Sequence, residues 1–181
     1  QRAGNNKMEM AVVAGSPGAG KTSLVREIYK PITQQKGYFL TGKCDPFHPN
    51  SPSSVLSIAL QDLIKQILME SEEELGHWCQ KLLTAVGEYG QIIIDVIPQL
   101  ELIIGQQPPV RALDSLESQN RFNRVFIDFI HVFCHPKHPL AVFLDDLQWV
   151  DQATLDLLEH LMLDGRIKHL FLIVAYRDQN L

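Results

Sequence analysis

The chain has 181 residues, 45% of them hydrophobic, which suits one domain with a substantial core and leaves no room for a second full one. A net charge of −5 supplies no overall basic field of the kind that drives nonspecific nucleic-acid binding, and no nucleic-acid partner is expected. No uninterrupted apolar run approaches the ~20 residues needed to cross a bilayer, and the opening QRAGNNKMEM lacks the apolar segment of a signal peptide, so no membrane contact is expected.

Cys44, Cys79 and Cys134 are odd in number and widely spaced, which reads as free thiols in a reducing, cytoplasmic compartment rather than as a disulfide framework. The first residue is Gln, and AYRDQNL ends the chain after an apolar run with no element behind it. A fragment of something longer is expected.

In chain order, the first element is a short apolar strand over 10–14, followed by GSPGAGKT. Gly15, Gly20, Lys21 and Thr22 meet the pattern G-x-x-x-x-G-K-[ST], which average residue usage produces by accident in roughly one chain in two hundred of this length. Residues 23–30 follow as a helix with Leu24, Val25 and Ile28 on one face. Phosphate binding needs backbone N–H groups converging on an anion, and only residues with little side chain let the main chain wrap so closely; Gly15, Gly18, Ala19 and Gly20 qualify. The helix N-terminus behind them already favours negative charge. Lys21 adds a cation for the terminal phosphates, and the Thr22 hydroxyl suits a magnesium ion. The nucleotide-holding stretch is therefore expected to be Gly15, Ser16, Pro17, Gly18, Ala19, Gly20, Lys21, Thr22 and Ser23. A plain glycine turn would explain the glycines but not Lys21 and Thr22 at their offset.

A second strand is expected over 38–43 and a proline-rich turn over CDPFHPNSP. Residues 53–69 read as an amphipathic helix, and residues 71–86 as another that opens with SEEE, acids placed where a helix N-terminus favours them. Pro98 breaks the apolar stretch 91–105 into short helices or irregular chain. A helix over 118–134 carries Phe122, Val125, Phe126, Phe129, Ile130 and Phe133 on one stripe. LAVFLDD (140–146) reads as a buried strand, residues 154–162 as a helix and HLFLIVAYR as a last buried strand. Strands separated by helices predict an α/β domain around a parallel sheet.

A triphosphate with magnesium asks for an acid to position the metal and a second group to orient water. Asp145 at the strand end is placed for the metal, through water, and Asp146 for the attacking water. A solvated turn of two aspartates is the bland alternative.

GSPGAGKT and VFLDDLQWVD resemble the Walker A and Walker B motifs of the signal-transduction ATPases with numerous domains (STAND), a branch related to the AAA+ ATPases. GYFLTGKCDPF, QIIIDVIPQLELIIGQQPPV, ESQNRFNRVF and IVAYRDQ are similar to the AAA-type ATPase module of very large multidomain serine/threonine or histidine kinases. The resemblance implies a P-loop NTPase fold, a three-layer α/β sandwich with a parallel sheet, in which residues 1–181 form a single partial ATPase core truncated at both ends, with Walker A at 15–22 and Walker B at 140–146. It implies ATP and Mg²⁺ as ligands, Thr22 and Asp145 toward the metal, Lys21 and Asp146 in hydrolysis, and Arg177 as the polar sensor of the γ-phosphate. A guanidinium suits that role because its fork matches phosphate oxygens. Asp146 is the shorter of the two acids used at its place, which implies slow hydrolysis. The adenine-contacting segment is reduced to QRAGNNKME and the lid after Leu181 is missing, which weakens binding and closure.

The expected function is ATP binding and slow magnesium-dependent hydrolysis as a conformational switch in a signalling protein. Its partners are ATP and ADP and other domains of the same polypeptide, with a homo-oligomer left open. The alternative is a noncatalytic interaction module that keeps nucleotide to hold its shape. No Asn-Lys-x-Asp stretch supports a GTPase, and Arg166 and Arg177 are too few for the lid of a small-molecule kinase. His131, Cys134, His135 and His138 invite a zinc reading, but a second ligand pair is not evident and a helix end with polar tips is expected. Asp95 and Glu101 are expected at the surface or as caps, Trp149 packed beneath the loop, and Glu72, Glu73 and Glu74 as a solvated helix start.

Overall fold

The computed structural model describes residues 8–15, 27, 29, 32, 34, 37–44 and 54–177. Residues 16–26, which hold Lys21, Thr22 and the start of the expected helix, lie outside the described residues, as does the turn after Cys44. Glu27, Tyr29, Ile32 and Gln34 are helical. The chain divides into two compact units, one formed by Gln1–Ala59 with Phe133–Leu181 and one by Leu60–Val132.

Among the described residues the first unit holds four strands: β1 (Glu9–Ala14), β2 (Tyr38–Lys43), β3 (Leu140–Asp145) and β4 (Leu170–Tyr176). They form one parallel sheet in the order β1-β4-β3-β2, an α/β arrangement consistent with a P-loop NTPase-like fold. The two inner strands explain their sequences, since LAVFL and LIVA are buried on both faces and need side chains that pack rather than alternate. Phe143, Ile173 and Ala175 form a core cluster against which Val13, Phe39 and Phe171 pack. Tyr29 meets Phe39 edge-on, with ring centroids 5.3 Å apart.

Two local devices fix the carboxyl edge of this sheet. A Cβ on Gly42 would stand 2.7 Å from both the Val55 carbonyl oxygen and its Cγ2, so only glycine lets the strand pass beneath the first turn of α1 (Ser54–Ile67). At the other end of the edge, Asp151 caps α6 (Gln152–Leu163): one carboxylate oxygen accepts from the Thr154 amide at 2.8 Å and the other from its hydroxyl at 2.9 Å. The helix therefore starts two residues earlier than the apolar pattern suggested.

The second unit is helical. The Leu60–Ile67 part of α1 buries Leu60, Leu63, Ile64 and Ile67. It is followed by α2 (Glu72–Val86), α3 (Gly90–Val96), α4 (Glu101–Ile104) and α5 (Ser115–His131). The Ser71 hydroxyl accepts from the Glu74 amide, and Glu72, Glu73 and Glu74 lie exposed in the first turn, a solvated start as expected. Pro98 divides α3 from α4 through a short 3-10 turn, also as expected. Asp95 is exposed and accepts from Gln91 at 2.8 Å, and Glu101 opens α4 at the surface.

α5 departs from the expected 118–134. Its first turn, Ser115–Glu117, holds one apolar residue, the exposed Leu116, and Asp114 opens it by accepting from the Glu117 amide at 2.8 Å. The helix stops at His131, so His135 shares no helical face with it. The rings of His135 and His138 instead stack at 4.7 Å in a tight turn. Among the described residues no helix is long and apolar enough to cross a membrane.

Gly42→Ala is expected to lower unfolding stability by about 1–3 kcal/mol, because backbone and not a flexible side chain must yield. Urea unfolding followed by circular dichroism checks this, and an unchanged midpoint would show that the close approach is not needed.

Candidate functional site

Parallel pairing puts the carboxyl ends of all four strands on one edge, where ligand crevices of open α/β sheets lie. The registers Ala14↔Tyr176, Leu144↔Val174 and Lys43↔Asp145 set the order along that edge. Gly15 follows β1, Arg177 follows β4, Asp145 ends β3 and Lys43 ends β2. Arg177 therefore stands between the strand that leads into the glycine-rich loop and the strand that carries the two acids.

Asp146 leaves β3 in the left-handed region, at φ 57° and ψ 42°. Aspartate enters that region at lower cost than most residues because its short side chain bonds locally. The Asp146 amide donates to Asp145 Oδ1 at 2.9 Å, and the turn continues as a 3-10 segment, Leu147–Trp149. The result is a carboxylate only 7% exposed, surrounded by donors. Arg177 gives Nε to Oδ1 at 2.8 Å and Nη2 to Oδ2 at 3.1 Å, a bidentate pair across 31 positions of sequence. Gln148 Nε2 donates to Oδ1 at 3.2 Å, while its Oε1 accepts from the Arg177 amide at 3.1 Å. Lys43 Nζ lies 3.7 Å from Oδ2.

These contacts act on the ionisation of the cluster. The Arg177 hydrogen bond, helped by Gln148 and by the charges of Arg177 and Lys43, holds the Asp146 carboxyl below its ordinary range, with burial opposing. The same hydrogen bond raises Arg177. The neighbouring Cys44 thiol is pushed up to about 11, first by burial and then by Asp146, Asp151 and Asp145. A thiol so raised stays protonated at neutral pH and is no nucleophile.

The structure brings together Asp145, Asp146 and Arg177 of the expected site residues. Gly15 is placed one strand away from Arg177, and Ser16, Pro17, Gly18, Ala19, Gly20, Lys21, Thr22 and Ser23 fall outside the described residues. Trp149 corrects an expectation: it is 44% exposed, in a 3-10 turn none of whose residues is buried. Two members of the cluster escaped the sequence reading. Lys43 becomes visible only once the strand order sets β2 beside β3, whereas Gln148 stood in the quoted VFLDDLQWVD with no assigned task. Among the described residues no group of three or more His, Cys, Asp or Glu is gathered as a metal site.

The sign of the Asp146 shift gives a pH dependence. A carboxylate whose folded value lies below its ordinary 3.8 contributes stability that is complete above that value and is lost as pH falls through the lowered one. Urea unfolding on acidification below 3.8 should therefore show a loss in the parent protein that is smaller in Asp146→Asn. Equal acid sensitivity of the two would remove the ion pair as its cause.

Comparison with known proteins bears on this geometry. A profile of the AAA ATPase domain matches residues 1–174. The chain is 40% identical over 162 residues, 90% of its length, to "Hybrid signal transduction histidine kinase G" of Dictyostelium discoideum. It is 23% identical over 167 residues, 84% of its length, to "Histidine protein kinase 1" of Candida albicans. It spans 5% of the first relative and 7% of the second, so the likeness concerns one module of each. The chain belongs to the AAA ATPase domain family.

Proposed function

We propose that this module binds ATP with Mg²⁺ at the carboxyl edge of its sheet and hydrolyses it slowly, as a nucleotide-driven switch within a multidomain signal-transduction protein. The single observation that carries the reading is the Asp146 carboxylate held by Arg177, Gln148 and Lys43, with Arg177 following the strand that pairs with the one leading into GSPGAGKT. The donor set fits the ligand: Asp145 offers hard carboxylate oxygens to a small divalent cation, and two cations stand ready for phosphate. Thr22 and Asp145 would hold the metal, and residues 15–23 the phosphates. Bound magnesium would neutralise charge that develops on the transferred phosphoryl group.

The chain's own groups then have assignable tasks. Two N–H groups of Arg177 point at Asp146, and the remaining ones, on a side chain 45% exposed, are available to a γ-phosphate oxygen. Oδ1 of Asp146 already accepts two hydrogen bonds, whereas Oδ2 accepts one and keeps a lone pair that orients a water. Asp146 thereby positions the nucleophile rather than taking its proton outright, since a carboxylate with a lowered pKa is a weak base. Slow turnover follows from that weakness. The same clamp favours a second reading, a module that retains nucleotide for its shape and does not turn over.

Asp146→Asn separates the two, because asparagine tolerates the left-handed backbone while losing the charge. Loss of phosphate release by about 10²-fold with ATP retained supports the hydrolase. Release that is unmeasurable in the parent protein with ATP retained supports the structural reading. Lys21→Ala is expected to abolish ATP binding in equilibrium titration, and retained affinity would remove the loop from the site. GTP competing equally with ATP would overturn the base preference.

A further inference from the structure

The helical unit contains a cleft of about 410 Å³, all of whose lining residues lie within Leu60–Val132. That is the lower part of the range of small-molecule sites. Glu88 and Tyr89 form one wall, Pro108 and Pro109 another, and Arg111 and Arg121 contribute guanidinium groups. The walls are built, not incidental. Gly90 lacks the Cβ that would stand 2.8 Å from the Gln107 side chain, so Gln107 packs over it. Its amide donates to the Ile104 and Gly105 carbonyls at 3.0 and 3.4 Å, which fixes the Gln107 side chain on the end of α4 while it packs over Gly90, the residue after Tyr89. Prolines make a rigid wall with no N–H to satisfy.

The charges in this cleft are unbalanced in a chain whose net charge is −5. Arg121 sits over the Tyr89 ring with its carbon 5.7 Å from the centroid, and its Nε is buried without a hydrogen-bond acceptor. Arg111 is exposed and has no ion-pair partner among the described residues. One acid, Glu88, also lines the cleft, and it raises the pKa of the neighbouring Tyr89 hydroxyl. A buried donor left without an acceptor in a native fold marks the place of a water or an ion. Two guanidinium groups lining one opening suit an oxyanion, and the Tyr89 ring and two prolines that line it with them suit an apolar body beside that oxyanion.

We propose that this cleft binds a small organic oxyanion, a carboxylate or phosphate carried on a planar apolar group, with Arg111 and Arg121 holding the oxyanion and Tyr89 with Pro108 and Pro109 holding the body. The site is independent of the nucleotide reading, because none of its residues belongs to the sheet unit.

The test uses the full chain carrying Lys21→Ala, so that the glycine-rich loop does not answer for the cleft. Phenyl phosphate, benzoate and inorganic phosphate are titrated separately by calorimetry and by amide NMR. Saturable binding of phenyl phosphate or benzoate, tighter than inorganic phosphate and with shifts at residues 88–90 and 107–111, is the expected result. The tighter of the two names the oxyanion. Arg121→Gln and Arg111→Gln should each weaken it about tenfold. Arg111 is exposed, so its replacement leaves the fold intact even if Arg121→Gln does not. No saturation by either organic anion, or a change of less than twofold in Arg111→Gln, would overturn the proposal.

Discussion

The pair formed by Asp146 and Arg177 is the interaction on which the sheet edge depends. It joins the turn that leaves β3 to Arg177, the residue that follows β4, across two strands that are hydrogen-bonded to each other. A carboxylate this buried is costly in the absence of counter-charge, and the fork of a guanidinium supplies both the charge and the geometry. Gln148 completes the arrangement by bonding the acid with its amide nitrogen and the arginine backbone with its oxygen. The residues after each strand are thus locked to one another, and whatever occupies this edge meets a surface whose donors are already aimed. Electrostatic preorganisation of this kind is what phosphoryl chemistry asks most of a protein.

In the proposed reading, a bound phosphate would meet this same cluster. A phosphate oxygen approaching Arg177 competes with a carboxylate for one guanidinium, so the strength of the internal pair sets how much ligand binding can be gained and how far the two turns respond. A switch needs that balance to be close, since a ligand shifts an equilibrium only by its differential affinity for the two arrangements.

Much of this was legible in the chain, for reasons that differ between elements. The inner strands announced themselves because burial on both faces leaves an unbroken apolar run, as in LAVFL. Pro98 broke the long apolar stretch where a missing N–H must break it. The acid pair was singled out as the end of an apolar strand and Arg177 through the resemblance of IVAYRDQ, and the fold sets them side by side. The start of α5 was misjudged because the apolar residue of its first turn, Leu116, is exposed and the turn is held by Asp114, a capping signal weaker to the eye than the phenylalanine stripe behind it. Trp149 was misjudged because a large aromatic is expected inside, and nothing in one sequence reveals that its turn faces outward. Lys43 was invisible because strand order is not a local property: only the pairing of β2 with β3 brings it to an acid a hundred positions away.

The left-handed backbone at the end of β3 also explains a choice of amino acid. Glutamate would carry the same charge with a longer reach, but its side chain gains little local bonding there, and a residue in that conformation costs roughly 1–2 kcal/mol. Aspartate meets the torsional demand and the ionic one with a single short arm. The modest reach of the acid is then not a defect of the chemistry but the signature of a bend that tolerates few other side chains.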